Sequence, residues 1–199
     1  MRSGCGQQAG FSLIEVLVSL LILLIGFMGV AALSMRANQV EFESYQRAQA
    51  LVLVDDMAQR VRANQHAAYC YYSYTVTGTS GVQYLGAGAN VAANTCVASG
   101  GVSVDATTMA EDDLRDWDAQ LDGAAINDGG SSAGAMIDAR GCITQDASRG
   151  VLIQLSWHAK TISNAPSAGL TCGQQGGVDD QYRRVVARWV KILDLTPGY

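Results

Sequence analysis

The chain has 199 residues, a formal net charge of −5 at pH 7 and an apolar content of 49%. That length allows one globular domain, or a small domain joined to an extended element, and the acidic balance excludes an overall basic footprint for nucleic acid. The apolar residues concentrate between Phe11 and Leu33, a run with one ionisable residue, Glu15, and no proline. It exceeds the roughly 20 apolar residues that a helix needs to cross a bilayer, so a single transmembrane helix is expected there.

Ahead of that run stand ten polar residues, MRSGCGQQAG, ending in Gly10. A secretory signal places its apolar core before the cleavage site, and here the order is reversed. A cut after Gly10 would remove residues 1–10 as a leader and leave the apolar helix on the mature chain. Arg2 is the one basic residue of the leader and Arg36 lies just beyond the span, so flanking charge sets orientation only weakly. Cysteine counting agrees with the cut. Five cysteines are an odd number for an exported chain; losing Cys5 leaves Cys70, Cys96, Cys142 and Cys172. A lipoprotein signal ending at Cys5 would need an apolar stretch before it, and there is none. Without Arg2 the charge becomes −6, with 12 basic residues against 18 acidic ones.

Gly10 followed by Phe11-Ser12-Leu13-Ile14-Glu15-Val16-Leu17 resembles the processing site of type IV pilins and type II secretion pseudopilins. The resemblance implies that a prepilin peptidase cuts between Gly10 and Phe11 on the cytoplasmic side and N-methylates the new terminus. It also implies that Glu15, the fifth mature residue, meets the terminal amine of a neighbouring subunit. The energetics of Glu15 point the same way, since a carboxylate within an apolar span costs about 2.5–3.5 kcal/mol on insertion scales and calls for a partner or a function. The plainer alternative is a carboxylate close enough to the end of the span to reach headgroup water. Gly26 and Gly29 leave two readings open, close helix packing or a place that unwinds on assembly.

From Leu33 onward a stripe recurs at Ala37, Val40, Ser44, Ala48, Leu51, Val54, Ala58 and Val61 in steps of three or four, which is helical spacing. Neither proline nor glycine interrupts the chain from Ala31 to Gln65. One helix is therefore expected from Phe11 to about His66, residues 11–33 in the membrane or filament and the rest a spine for a head formed by residues 67–199. Such a helix would be on the order of 80 Å long. Its exposed half, through Arg36-Ala37-Asn38-Gln39, Glu43 to Ala50 and Asp55-Asp56-Met57, is similar to that of PilV-type minor pilins. Asp113 to Trp117, Ala139 to Ile143 and a closing strand around Arg183 to Val186 resemble head segments of the same group.

In the head, Tyr71, Tyr72, Tyr74, Val76 and Thr77 suggest a first extended stretch, followed by a Gly/Ser/Ala/Asn-rich loop from Gly78 to Gly101. A helix fits Met109 to Leu121, with Thr108 and Glu111 as a capping box and Ala110, Leu114, Trp117 and Leu121 on one face; Trp117 reads as a core anchor. A second loop runs from Asp122 to Arg140. Val151, Ile153, Leu155 and Trp157 alternate with Leu152, Gln154, Ser156 and His158 as a half-buried strand. Tyr182 to Leu193 forms another, with Val185, Ala187 and Trp189 facing the helix. The expected fold class is α+β and pilin-like: a long N-terminal helix packed on a small antiparallel-sheet head with long loops. Four cysteines permit three pairings, between which sequence does not select; closure of local loops favours Cys70–Cys96 and Cys142–Cys172.

No catalytic constellation, cofactor motif or metal-binding spacing stands out. Gly130-Ser131-Ser132-Ala133-Gly134 spells a nucleophile-elbow string inside a Gly/Ser loop, away from any strand-to-helix turn. Asp116, Asp118 and Asp122-Gly123 hint at a calcium loop, but Gln120 takes one ligand position and Gly129 replaces the closing glutamate. His66 and His158 are isolated, and Arg183, Arg184, Arg188 and Lys191 read as edge-strand charges that discourage unwanted pairing. The resemblance implies a non-enzymatic minor pilin that primes type IV pilus assembly. Its partners would be the prepilin peptidase, other minor pilins, the major pilin, the inner-membrane assembly machinery and, before assembly, membrane lipid, with the head in the periplasm and later on the cell surface. A minor pseudopilin of type II secretion and a tip adhesin or DNA-uptake head are the alternatives.

Overall fold

A computed structural model describes residues 10–77, 83–92, 96, 102–123, 127–128, 131–132, 136–146, 148–174 and 179–192. Most of the leader with Arg2 and Cys5, the bulk of the Gly78–Gly101 loop, part of the Asp122–Arg140 loop, most of the Gly130–Gly134 string and residues 193–199 lie outside the described residues. The chain divides into two compact units, Met1–Ser44 and Tyr45–Tyr199.

Helix α1 spans Leu13–Ala63 and contributes to both units. In the first unit it is formed by straight-chain and branched apolar residues with no proline, and Gly26 and Gly29 are absorbed without a break. Every large apolar side chain from Phe11 to Leu33 is exposed. A helix apolar on all sides is one that meets lipid or other helices.

In the second unit, the α1 residues Gln46, Ala50, Leu53, Val54, Met57, Ala58 and Val61 are buried. The expected stripe is thereby corrected. Val54, Ala58 and Val61 lie on the packed face, whereas Ala48 and Leu51 are exposed. The α-helical pattern ends at Ala63, ahead of the expected His66, and Asn64 closes it by donating to the carbonyl of Ala106 at 2.7 Å. A 3-10 turn, Gln65–Ala67, leads into α2, Ala68–Tyr72. Tyr71 and Tyr72 are thus helical rather than extended. The buried Tyr71 hydroxyl donates to Asp113 at 2.5 Å, and that tertiary hydrogen bond outweighs the strand preference of tyrosine.

Two short strands, β1 (Val76–Thr77) and β2 (Asn90–Val91), pair antiparallel. Helix α3 spans Val104–Leu121 and begins earlier than expected, because Ser103 is its N-cap and accepts the N–H of Ala106. The Thr108–Glu111 capping box does not form. Thr108 lies inside the helix and donates to the carbonyl of Val104, while Glu111 accepts the N–H of Cys96. Ala110, Leu114, Trp117 and Leu121 are buried on one face. A minimal pair, β3 (Asn127–Asp128) and β4 (Ser131–Ser132), follows.

The main sheet is antiparallel and three-stranded, in the order β5-β6-β7, with β5 Arg140–Asp146, β6 Gly150–His158 and β7 Arg183–Val190. Its Ile143, Val151, Ile153, Leu155, Val186 and Val190 join the α1 and α3 side chains in one core. The head is pilin-like α+β: the later part of the long N-terminal helix packs against a three-stranded antiparallel sheet.

Two strand expectations are corrected. Strand β6 is buried on both faces, because Leu152, Gln154 and Ser156 are buried along with Val151, Ile153 and Leu155. The cover includes the segment ending at Cys172, which is bonded to Cys142 of β5 and whose N–H meets the Gln154 side chain at 3.5 Å. Gly173, at φ +72°, lies so close to Ser156 that any Cβ would collide with its hydroxyl. Strand β7 has the opposite parity to that expected: Val186 and Val190 are buried, while Ala187 and Trp189 are exposed. One parity of RRVVARWV carries three apolar residues, Val185, Ala187 and Trp189, and the other two, Val186 and Val190, so the count and the bulk of Trp189 favoured the wrong one. The pairing of Leu155 with Val186 fixes the outcome.

Candidate functional site

The sequence places its candidate site at the start of the chain, and the local structure there is simple. Gly10, Phe11 and Ser12 precede the helix, and Phe11 is 85% exposed. The Ser12 carbonyl accepts the N–H groups of Glu15 at 3.0 Å and Val16 at 3.3 Å, which opens the first turn. Glu15 is the acidic residue of that turn, a favourable place for a carboxylate at the positive end of the helix dipole. The Ser19 hydroxyl donates to the Glu15 carbonyl at 2.7 Å, leaving the carboxylate free of that hydroxyl. The Gly-Phe segment lies ahead of the first turn, outside the helix, and no atom lies within 4 Å of a Cβ built on Gly10. After the turn comes a helix long and apolar enough to cross a membrane.

The family model for the prokaryotic N-terminal methylation motif matches residues 5–31. The start of the chain is thus similar to that of prepilins. No curated protein and no solved structure matches it. The prepilin motif implies processing by a prepilin peptidase, and the apolar helix it heads is consistent with membrane anchoring and a place at the surface. Pilin-like chains are generally structural rather than enzymatic.

The head of this pilin-like chain is held by two disulfides, Cys70–Cys96 with Cα atoms 5.3 Å apart and Cys142–Cys172 with Cα atoms 5.7 Å apart. The first joins α2 to a residue whose N–H is held by Glu111 on α3. The second fastens a covering segment over the face of the sheet away from the helices. Asp113 is a hub that sequence reasoning missed. It accepts from Arg60 at 2.8 Å and from Tyr71, while Arg60 also bonds Asp56 at 2.8 Å. Burial, reinforced by the Asp113 contact, pushes the Tyr71 hydroxyl well above the usual phenol range, so it stays neutral and donating. The i, i+4 spacing of Asp56 and Arg60 was readable in the sequence; the third partner, from α3, was not.

The acidic residues near the end of α3 serve the backbone. Asp118 accepts the Gly86 N–H at 2.6 Å and Asp122 accepts the Gly88 N–H at 3.4 Å, so both hold the turn at residues 86–88. Among the described residues no group of three or more His, Cys, Asp or Glu is placed to hold a metal ion. His66 is exposed and His158 stacks at a tilt on Tyr182.

The basic residues of β7 also differ from expectation. Arg183 is 6% exposed, paired with Asp180 at 2.5 Å and donating to the carbonyls of Leu170 and Cys172. It is an internal strut for the disulfide segment. Arg184 binds the carbonyls of Gln181 and Thr161, and Arg188 is paired with Asp55 on α1. An arginine committed to carbonyls and carboxylates of its own fold is a poor phosphate ligand, which weakens the DNA-uptake alternative.

Proposed function

We propose that this chain is a minor pilin of the PilV kind, a structural subunit that primes or promotes type IV pilus assembly together with other minor pilins. The single observation that supports this best is the coupling of Gly10, Phe11 and Glu15 to a helix that exposes every large apolar side chain from Phe11 to Leu33. A helix of that kind is stable in lipid or against other helices, and its one carboxylate gives an assembly a register.

In this reading the prepilin peptidase removes residues 1–10 and methylates Phe11. The chain then rests in the inner membrane with its head in the periplasm until the assembly machinery extracts it. Residues 11–33 enter a helix bundle with minor and major pilins, and Glu15 pairs with the terminal amine of a neighbour. The four cysteines keep the head folded through that transfer, and no residue acts as a catalyst or holds a cofactor.

The test is affinity recovery of the mature chain from cells that make pili and type II secretion machinery, followed by identification of the co-recovered subunits. Other pilus subunits are expected. Recovery with secretion components alone overturns the assignment in favour of a pseudopilin. In the same cells Glu15→Ala is expected to insert and be processed normally but to lose co-recovery; undiminished piliation would exclude the charge role.

A further inference from the structure

We propose that Cys96 is a thiol-exchange site of the folded head, at which a dithiol reductant opens Cys70–Cys96 without unfolding the head, while Cys142–Cys172 stays out of its reach. The two bridges are thus a switchable tie and a permanent one. Neither role depends on which filament the chain joins.

Thiol–disulfide exchange requires a thiolate to reach one sulfur of the bridge, so its rate follows access. The two bridges differ in access. Cys142 is 2% exposed and Cys172 1%, which closes both ends of the second bridge to solvent. The segment over it is held by Arg183, which donates to the carbonyls of Leu170 at 2.8 Å and Cys172 at 3.0 Å and pairs with Asp180. Gly173 seats against Ser156 on the same side. A reductant meets that bridge only after the covering segment lifts, which is a local unfolding event. In the first bridge Cys70 is fully buried and Cys96 only partly. Attack therefore falls on Cys96, with Cys70 as the leaving group.

The fold around the first bridge does not need it to stay joined. The Asn64 side chain donates to the Ala106 carbonyl at 2.7 Å, Tyr71 to Asp113 at 2.5 Å, Arg60 to Asp113 at 2.8 Å and the Trp117 indole to the Leu53 carbonyl at 3.0 Å. These bonds tie α1 and α2 to α3, and none passes through a cysteine. The Cys96 N–H is separately held by Glu111 at 3.1 Å, and Glu111 by Arg115 at 2.9 Å. An opened Cys96 thus keeps a hold on α3 from which the bridge can re-form.

In the exchange, a thiolate of the dithiol bonds to the Cys96 Sγ and the bond to Cys70 breaks. Cys70 leaves as a thiolate and takes a proton from water. The second thiol of the reductant, once deprotonated, then displaces Cys96, which is protonated in turn. The dithiol is oxidised by two electrons to a cyclic disulfide, and the two cysteines are reduced by the same two.

The experiment treats the oxidised, full-length mature chain in detergent with dithiothreitol at neutral pH without denaturant. Exchange is stopped with acid at intervals, the protein is redissolved in denaturant with N-ethylmaleimide, and each cysteine is read by peptide mass spectrometry. Cys70 and Cys96 are expected to be labelled together, at least about tenfold sooner than Cys142 and Cys172. The near-ultraviolet circular dichroism of the head should hold its wild-type form while the first pair is open. Arg183→Met should bring the second bridge forward by about tenfold and leave the first unchanged. Both pairs opening at one rate, Cys142 and Cys172 opening first, or dichroism lost in step with the first pair would each overturn the exchange site. So would a head in which neither bridge opens before it unfolds, and equal acceleration of both bridges by Arg183→Met would overturn the gating.

Discussion

The indole N–H of Trp117 on α3 donates to the main-chain carbonyl of Leu53 on α1 at 3.0 Å, with Trp117 completely buried. One side chain thus ties the second helix of the head to the long helix by apolar contact and by a directed hydrogen bond. Trp117→Phe keeps most of the volume and loses the donor, so it is expected to cost about 1–3 kcal/mol. Trp117→Ala should cost about 3–5 kcal/mol. Urea unfolding of the oxidised mature chain in detergent, followed by tyrosine fluorescence, measures both.

Gly141 on β5 faces the same indole. A Cβ added there would lie 2.4 Å from Trp117 Cζ3 and 2.8 Å from Leu121 Cδ1. Gly141→Ala is therefore expected to destabilise the head by about 1–3 kcal/mol through overpacking. In the Trp117→Phe background the loss should be smaller, and a double-mutant cycle on the same unfolding curves reads the coupling. Additive effects would refute the contact as the cause.

The covering segment has two fasteners, Cys142–Cys172 and the Arg183 guanidinium. Replacing both cysteines by alanine is expected to cost about 2–4 kcal/mol. Arg183→Met should open the segment even with the disulfide intact, because the Leu170 and Cys172 carbonyls and Asp180 then lose their donor. Limited proteolysis is expected to cut both variants between residues 159 and 174 before the helix, whereas the wild type resists there.

Two aspartates give stability opposite dependences on pH. Burial raises the pKa of Asp118, aided by the nearby Asp122 and opposed by the Gly86 N–H. The folded state thus holds that proton more tightly than the unfolded one, and this contribution to stability falls as pH rises from the unfolded value of about 3.9 through the higher folded value. Asp146, at the end of β5, has its pKa lowered by the Ser148 hydroxyl and by the N–H groups of Ser148 and Arg149. Its contribution is complete above the unfolded value and is lost as pH falls through the folded one. Asp118→Asn should remove the first trend and Asp146→Asn the second, as read from thermal midpoints between about pH 2 and 6.

Gly10→Val is expected to block cleavage, leaving a membrane-retained precursor whose intact mass includes residues 1–10. The wild-type mature mass should begin at methylated Phe11 with four cysteines oxidised. A mature mass in the Gly10 variant would move the cleavage site elsewhere.

The α+β class was legible from the apolar run, the 3.6-residue spacing in the helices and the alternation in β6, because each is a local pattern set by one element's own geometry. Which side of β7 faces the core was not legible. By apolar count RRVVARWV favours Val185, Ala187 and Trp189, and only its register against β6 turns Val186 and Val190 inward. Similarly, Tyr71 carries a strand preference of its own but is drawn into a helix by Asp113, which lies 42 residues away in sequence. Arg183 resembled a surface charge until its acceptors, the carbonyls of a disulfide-bonded loop, were in place.

The sequence by itself determined the start of the chain: the Gly10-Phe11 pair, the carboxylate at Glu15 and the apolar helix behind them, together with the four cysteines of the head. These are properties of consecutive residues, and they hold whatever the head does. The tertiary structure decided what joins across the fold, from Trp117 on Leu53 and Asp113 between Arg60 and Tyr71 to the segment fastened over β6. It also decided which side of the head's helix was left over, with Tyr45, Ala48 and Val52 outward. Burial is a property of the partners that arrive from elsewhere in the chain, and no single stretch of sequence carries it.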